Sequence, residues 1–172
     1  YWPDPERRAR YLEWFLGCII NYGIRFGEVY TTPDIAGIAV WLPPGRPYIT
    51  TWRCIQTGLL PLPFAVGCRH FFTRTLKSDD LVLKTHAELV PRPHWYLWGI
   101  AVDPDQQGKG IGTLLMQPVL ERADAQHLPC YLETHDEKNV PFYLKRGFTL
   151  LRTVQAPGFD IRFWCFLREG EN

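Results

Sequence analysis

The chain lacks a charge surplus, a long apolar run and a paired cysteine motif, and each absence removes a class of function. Lys and Arg number 19 against 18 Asp and Glu, a formal net charge of +1. That balance gives no global field for nucleic acid or an anionic membrane, so any anion recognition must be local. The longest basic tract, Glu6-Arg7-Arg8-Ala9-Arg10, reads as the solvated face of a helix. No stretch reaches the roughly 18 apolar residues that a membrane span requires. The five cysteines (18, 54, 68, 130 and 165) are odd in number and contain no C-x-x-C. Reduced, mostly buried thiols and a cytoplasmic location are therefore expected. Cys130 and Cys165 sit among strand-like apolar residues, as core filler rather than nucleophiles. His135-Asp136-Glu137 falls on a turn without fixed ligand geometry, so no metal is expected. Repeats, low-complexity tracts and linkers are also missing. At 172 residues and 46% hydrophobic, residues 1–172 suffice for one domain with a proper core.

What the chain does have is Gln107-Gly108-Lys109-Gly110-Ile111-Gly112, directly behind the apolar run Trp95 to Val102. Three glycines in five positions clear side chains from a turn, so that backbone N–H groups can converge on an anion. The following segment, 111–126, has helical character, and its positive dipole end faces the same turn. Strand, bare turn and helix N-terminus together make a pyrophosphate seat. A dinucleotide fingerprint G-x-G-x-x-G read from Gly108 would need glycine at 113, which is Thr113. A Walker A loop would need Ser or Thr after Gly108-Lys109, where Gly110 stands. The pattern that fits is Q-x-x-G-x-G.

Element signals around this loop describe an α/β chain. Asp4 as N-cap and Pro5 at the first helical position start a helix whose apolar positions (Tyr11, Leu12, Phe15, Leu16, Ile19, Ile20) recur at three-to-four spacing to about Tyr22. Residues 28–32 and 35–42 read as a hairpin across Pro33-Asp34, and Pro43-Pro44-Gly45 as a loop. Residues 49–89 read as helix broken at Pro61 and Pro63. Its bulky Trp52, Leu59, Leu60, Phe64, Phe71 and Phe72 are a candidate lid over a substrate cavity, with ordinary core packing the better reading for most of them. Strands are expected at 95–102 and 129–133, and a closing antiparallel pair at 149–154 and 161–167 around Pro157-Gly158.

The Q-x-x-G-x-G loop, followed by Asn139-Val140-Pro141-Phe142-Tyr143 and the closing Gly147-Phe148, resembles the two signatures of the GNAT superfamily of N-acetyltransferases. Pro93-His94-Trp95-Tyr96-Leu97, Val102-Asp103-Pro104-Asp105 and Leu132-Glu133-Thr134 make it similar to the puromycin N-acetyltransferase-like branch, which also tolerates a proline where Pro118 stands. The resemblance covers 93–168 and 28–45, and fades over 46–92, where the acceptor would bind. It implies a three-layer fold: a mixed, mostly antiparallel central sheet with helices on both faces, splayed between the strands at 95–102 and 129–133. It also implies a strand and a helix ahead of the first helix, which the sequence in hand lacks.

By the same resemblance, acetyl-CoA is the co-substrate. Backbone groups of Ile100, Ala101 and Val102 would hold its pantetheine arm and polarise the thioester. Gln107, Gly108, Gly110, Ile111 and Gly112 would hold the pyrophosphate, with Lys109 at the rim, where a solvated surface lysine is the equal alternative. Asn139 would touch the pantetheine or adenosine side. Tyr143 falls on the family's catalytic position; a phenol of pKa about 10 keeps its proton at neutral pH and can give it to a departing thiolate. Glu133, ending an apolar strand, would bind a substrate ammonium or accept its proton, or else cap the following loop. His94 and His135 are weaker bases. The reaction implied is direct attack, in a ternary complex, by the amine of a small molecule. Protein lysine or N-terminal amines are a second acceptor class, and a non-catalytic acyl-CoA-binding module is the alternative of a different kind. No nucleic-acid or membrane partner is expected, and the chain is a monomer or a homodimer.

Overall fold

The computed structural model describes residues 5–46, 48–66, 76–156 and 162–170. Helix α1 (Pro5–Phe26) runs past Tyr22 to Phe26, where the two rings meet edge to face at 5.2 Å, one turn apart. Strands β1 (Glu28–Thr31) and β2 (Gly37–Leu42) form the hairpin. Three helices follow, α2 (Thr51–Gln56), α3 (Leu62–Val66) and α4 (Leu76–Leu89). Then come β3 (Trp95–Val102), α5 (Ile111–Ala125), β4 (Cys130–Thr134), α6 (Val140–Leu144), β5 (Thr149–Gln155) and β6 (Arg162–Arg168). Phe71, Phe72, Cys68, Asp4 and Pro157-Gly158 lie outside the described residues. No described helix is long and apolar enough to cross a membrane.

The strands join in the order β1-β2-β3-β4-β6-β5, antiparallel throughout except for β3 against β4. Side-chain alternation divides the core between two faces. Trp41, Trp95, Leu97, Cys130, Leu132 and Phe166 pack beneath α5 and α6. Leu42, Tyr96, Tyr131, Phe163 and Cys165 pack beneath α1 and α4. Cys130 and Cys165 are fully buried, and burial pushes their thiols up to about 12 and about 11, which leaves them inert filler.

One irregularity sets the shape of the sheet. Val40 pairs with Gly99 but Trp41 pairs with Leu97, so Trp98 is an extra residue in β3. A bulge of this kind bends its strand and resets which face each side chain takes. Trp95 and Leu97 face α5 before it, and Ile100 and Val102 face α5 after it, three residues on from Leu97 rather than two. Beyond Leu97 opposite Leu132, β3 has no partner in β4. The sheet is therefore split from Trp98 onward, where the resemblance implies the splay.

Two expectations need correction. Residue 35 does not open β2. Ile35 is 77% exposed with φ of 56°, because the Thr32 hydroxyl accepts from the Ala36 N–H at 2.8 Å and the Thr32 carbonyl accepts from Ile35 N–H at 2.9 Å. That tight turn delays the strand to Gly37. Ordinary core packing also fails for Trp52, Leu60 and Phe64, which are 67, 62 and 76% exposed; short helices broken by Pro61 and Pro63 cannot turn every bulky residue inward. Pro118 is accommodated inside α5 because it and Leu114 face solvent, where water can take the carbonyl that the missing N–H would have bonded.

Left-handed backbone at a β-branched residue costs about 1–2 kcal/mol. Ile35→Asn, at an exposed position that buries nothing, should recover part of that cost and raise Tm by roughly 2–4 °C in a chain of this size. Thermal unfolding by circular dichroism checks it; an unchanged or lower Tm would show that the turn carries no strain.

Candidate active site

The split between β3 and β4 opens into a cleft of about 540 Å³. Ile100, Ala101 and Val102 form one wall; Gln106, Gln107, Gly108, Gly110, Ile111 and Gly112 form the floor; Asn139, Phe142, Tyr143 and Arg146 close the other side. Segments nearly fifty residues apart in sequence thus meet in one groove, and all but two of the expected co-substrate and catalytic residues line it.

The floor is built by glycine geometry. Gly108 and Gly110 hold φ of 80° and 83°, a region that side chains disfavour, and Gly110 is the N-cap of α5. Its carbonyl accepts from the N–H groups of Thr113 and Leu114 at 3.0 and 3.1 Å. Among the described residues, no backbone carbonyl takes the N–H groups of residues 108–112. These free donors at a helix N-terminus constitute an anion seat. Gly112 has a different reason to be glycine: a Cβ there would lie 2.9 Å from the Phe142 ring. Gln107 folds back, its Nε2 donating to the Val102 carbonyl at 3.2 Å, and so ties the loop to the end of β3. Lys109 points away, its Nζ donating to Gln106 Oε1 at 2.8 Å, and it does not line the cleft.

Tyr143 reaches the cleft from α6. Gly147, at φ of 78°, ends this helix in a left-handed cap: its N–H bonds the Leu144 carbonyl at 3.2 Å and the Phe148 N–H bonds the Tyr143 carbonyl at 3.3 Å. The same turn brings the Phe148 ring against the Tyr143 ring at 6.1 Å, while Phe166 and Phe142 fix it from two other sides. Burial pushes the phenol up to about 12, with the Arg146 cation opposing weakly. Its proton is therefore retained at every physiological pH. Asn139 is held by its Nδ2 donating to Thr134 Oγ1 at 3.1 Å.

Arg146 was missed by sequence reasoning, which gave it no role. Its guanidinium lies 3.4 Å from the centre of the Phe142 ring. Nε donates to Thr113 Oγ1 at 3.0 Å, and Nη1 donates to the Phe142 carbonyl. Burial pulls its pKa down, as expected for a cation that no carboxylate pairs with among the described residues. The signal available in the sequence was only its place one turn behind Phe142.

Glu133 occupies the vertex of the split but faces the other side of the sheet. Its side chain is 4% exposed, set among Tyr96, Tyr131 and Cys165. Burial pushes its carboxyl up to about 8, and a hydrogen bond from the Tyr96 hydroxyl offsets part of the rise. A capping role is not what the structure gives it: Thr134 and Asp136, rather than Glu133, bond the loop that follows. His94 is fully buried, and His135 lies against Phe163 at 5.7 Å, outside the cleft.

Residues 65–148 match the acetyltransferase (GNAT) family. An uncharacterized N-acetyltransferase of Schizosaccharomyces pombe is 29% identical over 134 residues, covering 74% of this chain and 53% of that protein. The chain thus spans about half the length of that relative. A crystal structure from Corynebacterium glutamicum ATCC 13032, described as histone acetyltransferase HPA2 and related acetyltransferase, superposes with a TM-score of 0.60 at 18% identity, covering 100% of this chain and 80% of that one. That likeness concerns the fold: the six-stranded, mostly antiparallel sheet with helices on both faces. These matches bear on the family and not on the puromycin-acetyltransferase-like branch. The loop, the split sheet and the buried tyrosine thus share one cleft in a chain whose residues 65–148 match the GNAT acetyltransferase family.

Proposed function

We propose that the chain transfers an acetyl group from acetyl-CoA to the amine of a small molecule, by direct attack with both substrates bound. The observation that carries this reading is the meeting of a glycine-built anion seat, a split sheet and a neutral buried phenol in one cleft. Acetyl-CoA supplies the activated acyl thioester. The free N–H groups of residues 108–112 and the dipole of α5 would hold its pyrophosphate. Arg146, a desolvated cation on the same groove, would neutralise further phosphate charge. The backbone of Ile100, Ala101 and Val102, unpaired on its β4 side, would align the pantetheine arm and place an N–H donor toward the developing oxyanion. Tyr143 Oη would give its proton to the leaving thiolate, and Glu133 would accept the proton of the attacking amine.

A buried base favours a slender acceptor. With only 4% of its side chain open, Glu133 is reached by an amine on a narrow stem rather than by a broad surface. A general base is most effective when its pKa lies near the working pH, and about 8 satisfies that condition. The assay that tests the reading is free-thiol release from acetyl-CoA across a panel of small amines, peptides with free N-termini and lysine peptides. Acceptor-dependent release with small amines supports it. Coenzyme A binding without release from any acceptor would reduce the chain to a binding module.

Tyr143→Phe keeps the ring packing and removes the proton. Its kcat at saturating acetyl-CoA should fall about 10²-fold, the usual scale for losing a general acid, with KM for acetyl-CoA changed less than about threefold. An unchanged kcat would take Tyr143 out of the mechanism. Arg146→Met keeps the stem over Phe142 and deletes the charge. It should raise KM for acetyl-CoA about tenfold with little change in kcat, the pattern of lost uniform binding. Wild-type kcat/KM should rise as pH climbs through about 8, because Glu133 must be ionised to accept a proton and burial raises its pKa. Glu133→Gln should abolish that limb.

A further inference from the structure

Beneath Glu133 lies a histidine pair that the proposed chemistry leaves unused. His86, from α4, and His94, from the turn before β3, are both fully buried. His94 Nδ1 sits 2.6 Å from the Arg92 carbonyl. A carbonyl can only accept, so Nδ1 carries the proton and Nε2 of the neutral ring holds a lone pair. His86 Nε2 lies 2.6 Å from that lone pair and must therefore be the donor. It follows that His86 Nδ1 is unprotonated. This atom is buried without a partner, and so is Glu133 Oε1, the two standing 4.0 Å apart. Burial, reinforced by His94, drives His86 down to about 3, so the contact is not an ion pair. Two lone pairs facing each other in a dry site repel; a proton on the carboxyl turns the same arrangement into an attraction.

We propose that His86 and His94 are positioning residues for Glu133, a tautomer-locked pair that presents a fixed proton acceptor to the carboxyl and so stabilises the acid form it reaches on taking the amine's proton. The proton balance is simple: one proton leaves the amine nitrogen and bonds to a Glu133 oxygen, where it faces the His86 Nδ1 lone pair 4.0 Å away, while both rings stay neutral. The His86 ring is gripped for this purpose. Tyr131 stacks on it at 4.2 Å and 20°, Tyr96 lies at 4.6 Å and Tyr48 at 5.3 Å. The titratable and charged groups around it belong to every packed element. Asp79 comes from its own helix, Arg92 from the turn, Tyr96 from β3, Tyr131 and Glu133 from β4, and Cys165 from β6, with Arg152 of β5 behind it. Of these, Tyr131 and Glu133 carry a buried oxygen without a hydrogen-bond partner, and Glu133 Oε1 stands 4.0 Å from Nδ1.

The inference rests on Glu133 as base, and the test separates the two. His94→Phe removes the lone pair that fixes His86; His86 can then turn its N–H toward Glu133 and favour the carboxylate. His94→Gln keeps an acceptor oxygen near the position of Nε2. The acid limb of kcat/KM should move down by about one pH unit in His94→Phe and stay at the wild-type position in His94→Gln. A uniform loss of rate in both variants with no movement of the limb overturns the proposal while leaving the base intact, provided Glu133→Gln has lost the limb. A limb that survives in Glu133→Gln removes the base, and this proposal with it. Should His94→Phe not fold, imidazole nitrogen shifts of the wild-type protein decide. Nδ1 of His86 and Nε2 of His94 unprotonated from pH 6 to 9 support the pair; the opposite tautomers overturn it.

Discussion

Everything in this molecule depends on the parting of β3 from β4. Hydrogen-bonded strands are among the least deformable parts of a fold, and opening a ladder in the middle of a sheet leaves backbone donors and acceptors that must be satisfied some other way. Here the opening is forced from the far side. The extra residue at Trp98 keeps β3 on β2 while bending it away from β4, so pairing ends at Leu97 and Leu132. The unsatisfied edge then becomes the place where an extended ligand could complete the ladder. The bulge, the cleft and the need for a substrate are three descriptions of one constraint.

Much of this was legible because local chemistry dictated it. The run 95–102 became a strand with those bounds, and the three glycines became a bare turn capping a long helix, since positive φ at Gly108 and Gly110 is what glycine permits. Gly147 closed its helix in the expected left-handed cap for the same reason. The signals failed where tertiary geometry decided. Nothing in Thr31-Thr32-Pro33-Asp34-Ile35 announces that a β-branched residue will take φ of 56°, because the Thr32 side chain, not the residue's own preference, fixes the turn. Arg146 carried little signal in the sequence because its role comes from Phe142 and Thr113, brought close only by folding. The bulge at Trp98 leaves no mark on composition or periodicity, whereas Glu133 takes its face from the alternation of β4, opposite Cys165.

The two proposed proton-handling groups are also separated by the sheet itself. Tyr143 packs with Phe148 and Phe166 on the α5 side, and Glu133 among Tyr96, Tyr131 and Cys165 on the α4 side. An acid and a base placed side by side in a dry pocket would exchange a proton with each other and shift as a coupled pair. On opposite faces of a split sheet they would meet only through the gap, from above and below the proposed reacting centre. The environments then tune each alone: burial raises the phenol so that it keeps its proton, and burial raises the carboxyl to about 8, so that it titrates near working pH. Burial has the same sign at both sites, but the different intrinsic acidities of phenol and carboxyl turn it into opposite roles.

That separation also explains why a neutral histidine pair suits the lower face better than a cation would. An arginine or a charged histidine beside Glu133 would pull its pKa far below neutrality and leave a weak base. Removing every polar neighbour would push it well above, leaving an acid that never ionises. Uncharged groups are the intermediate solution: a phenol donating to one oxygen favours the carboxylate, and an imidazole lone pair facing the other favours the acid. The two act against each other on a single carboxyl, and the tautomer of His86 sets the balance between them. Because that tautomer is fixed through His94 by a backbone carbonyl, no side chain at the surface needs to change for the poise to hold.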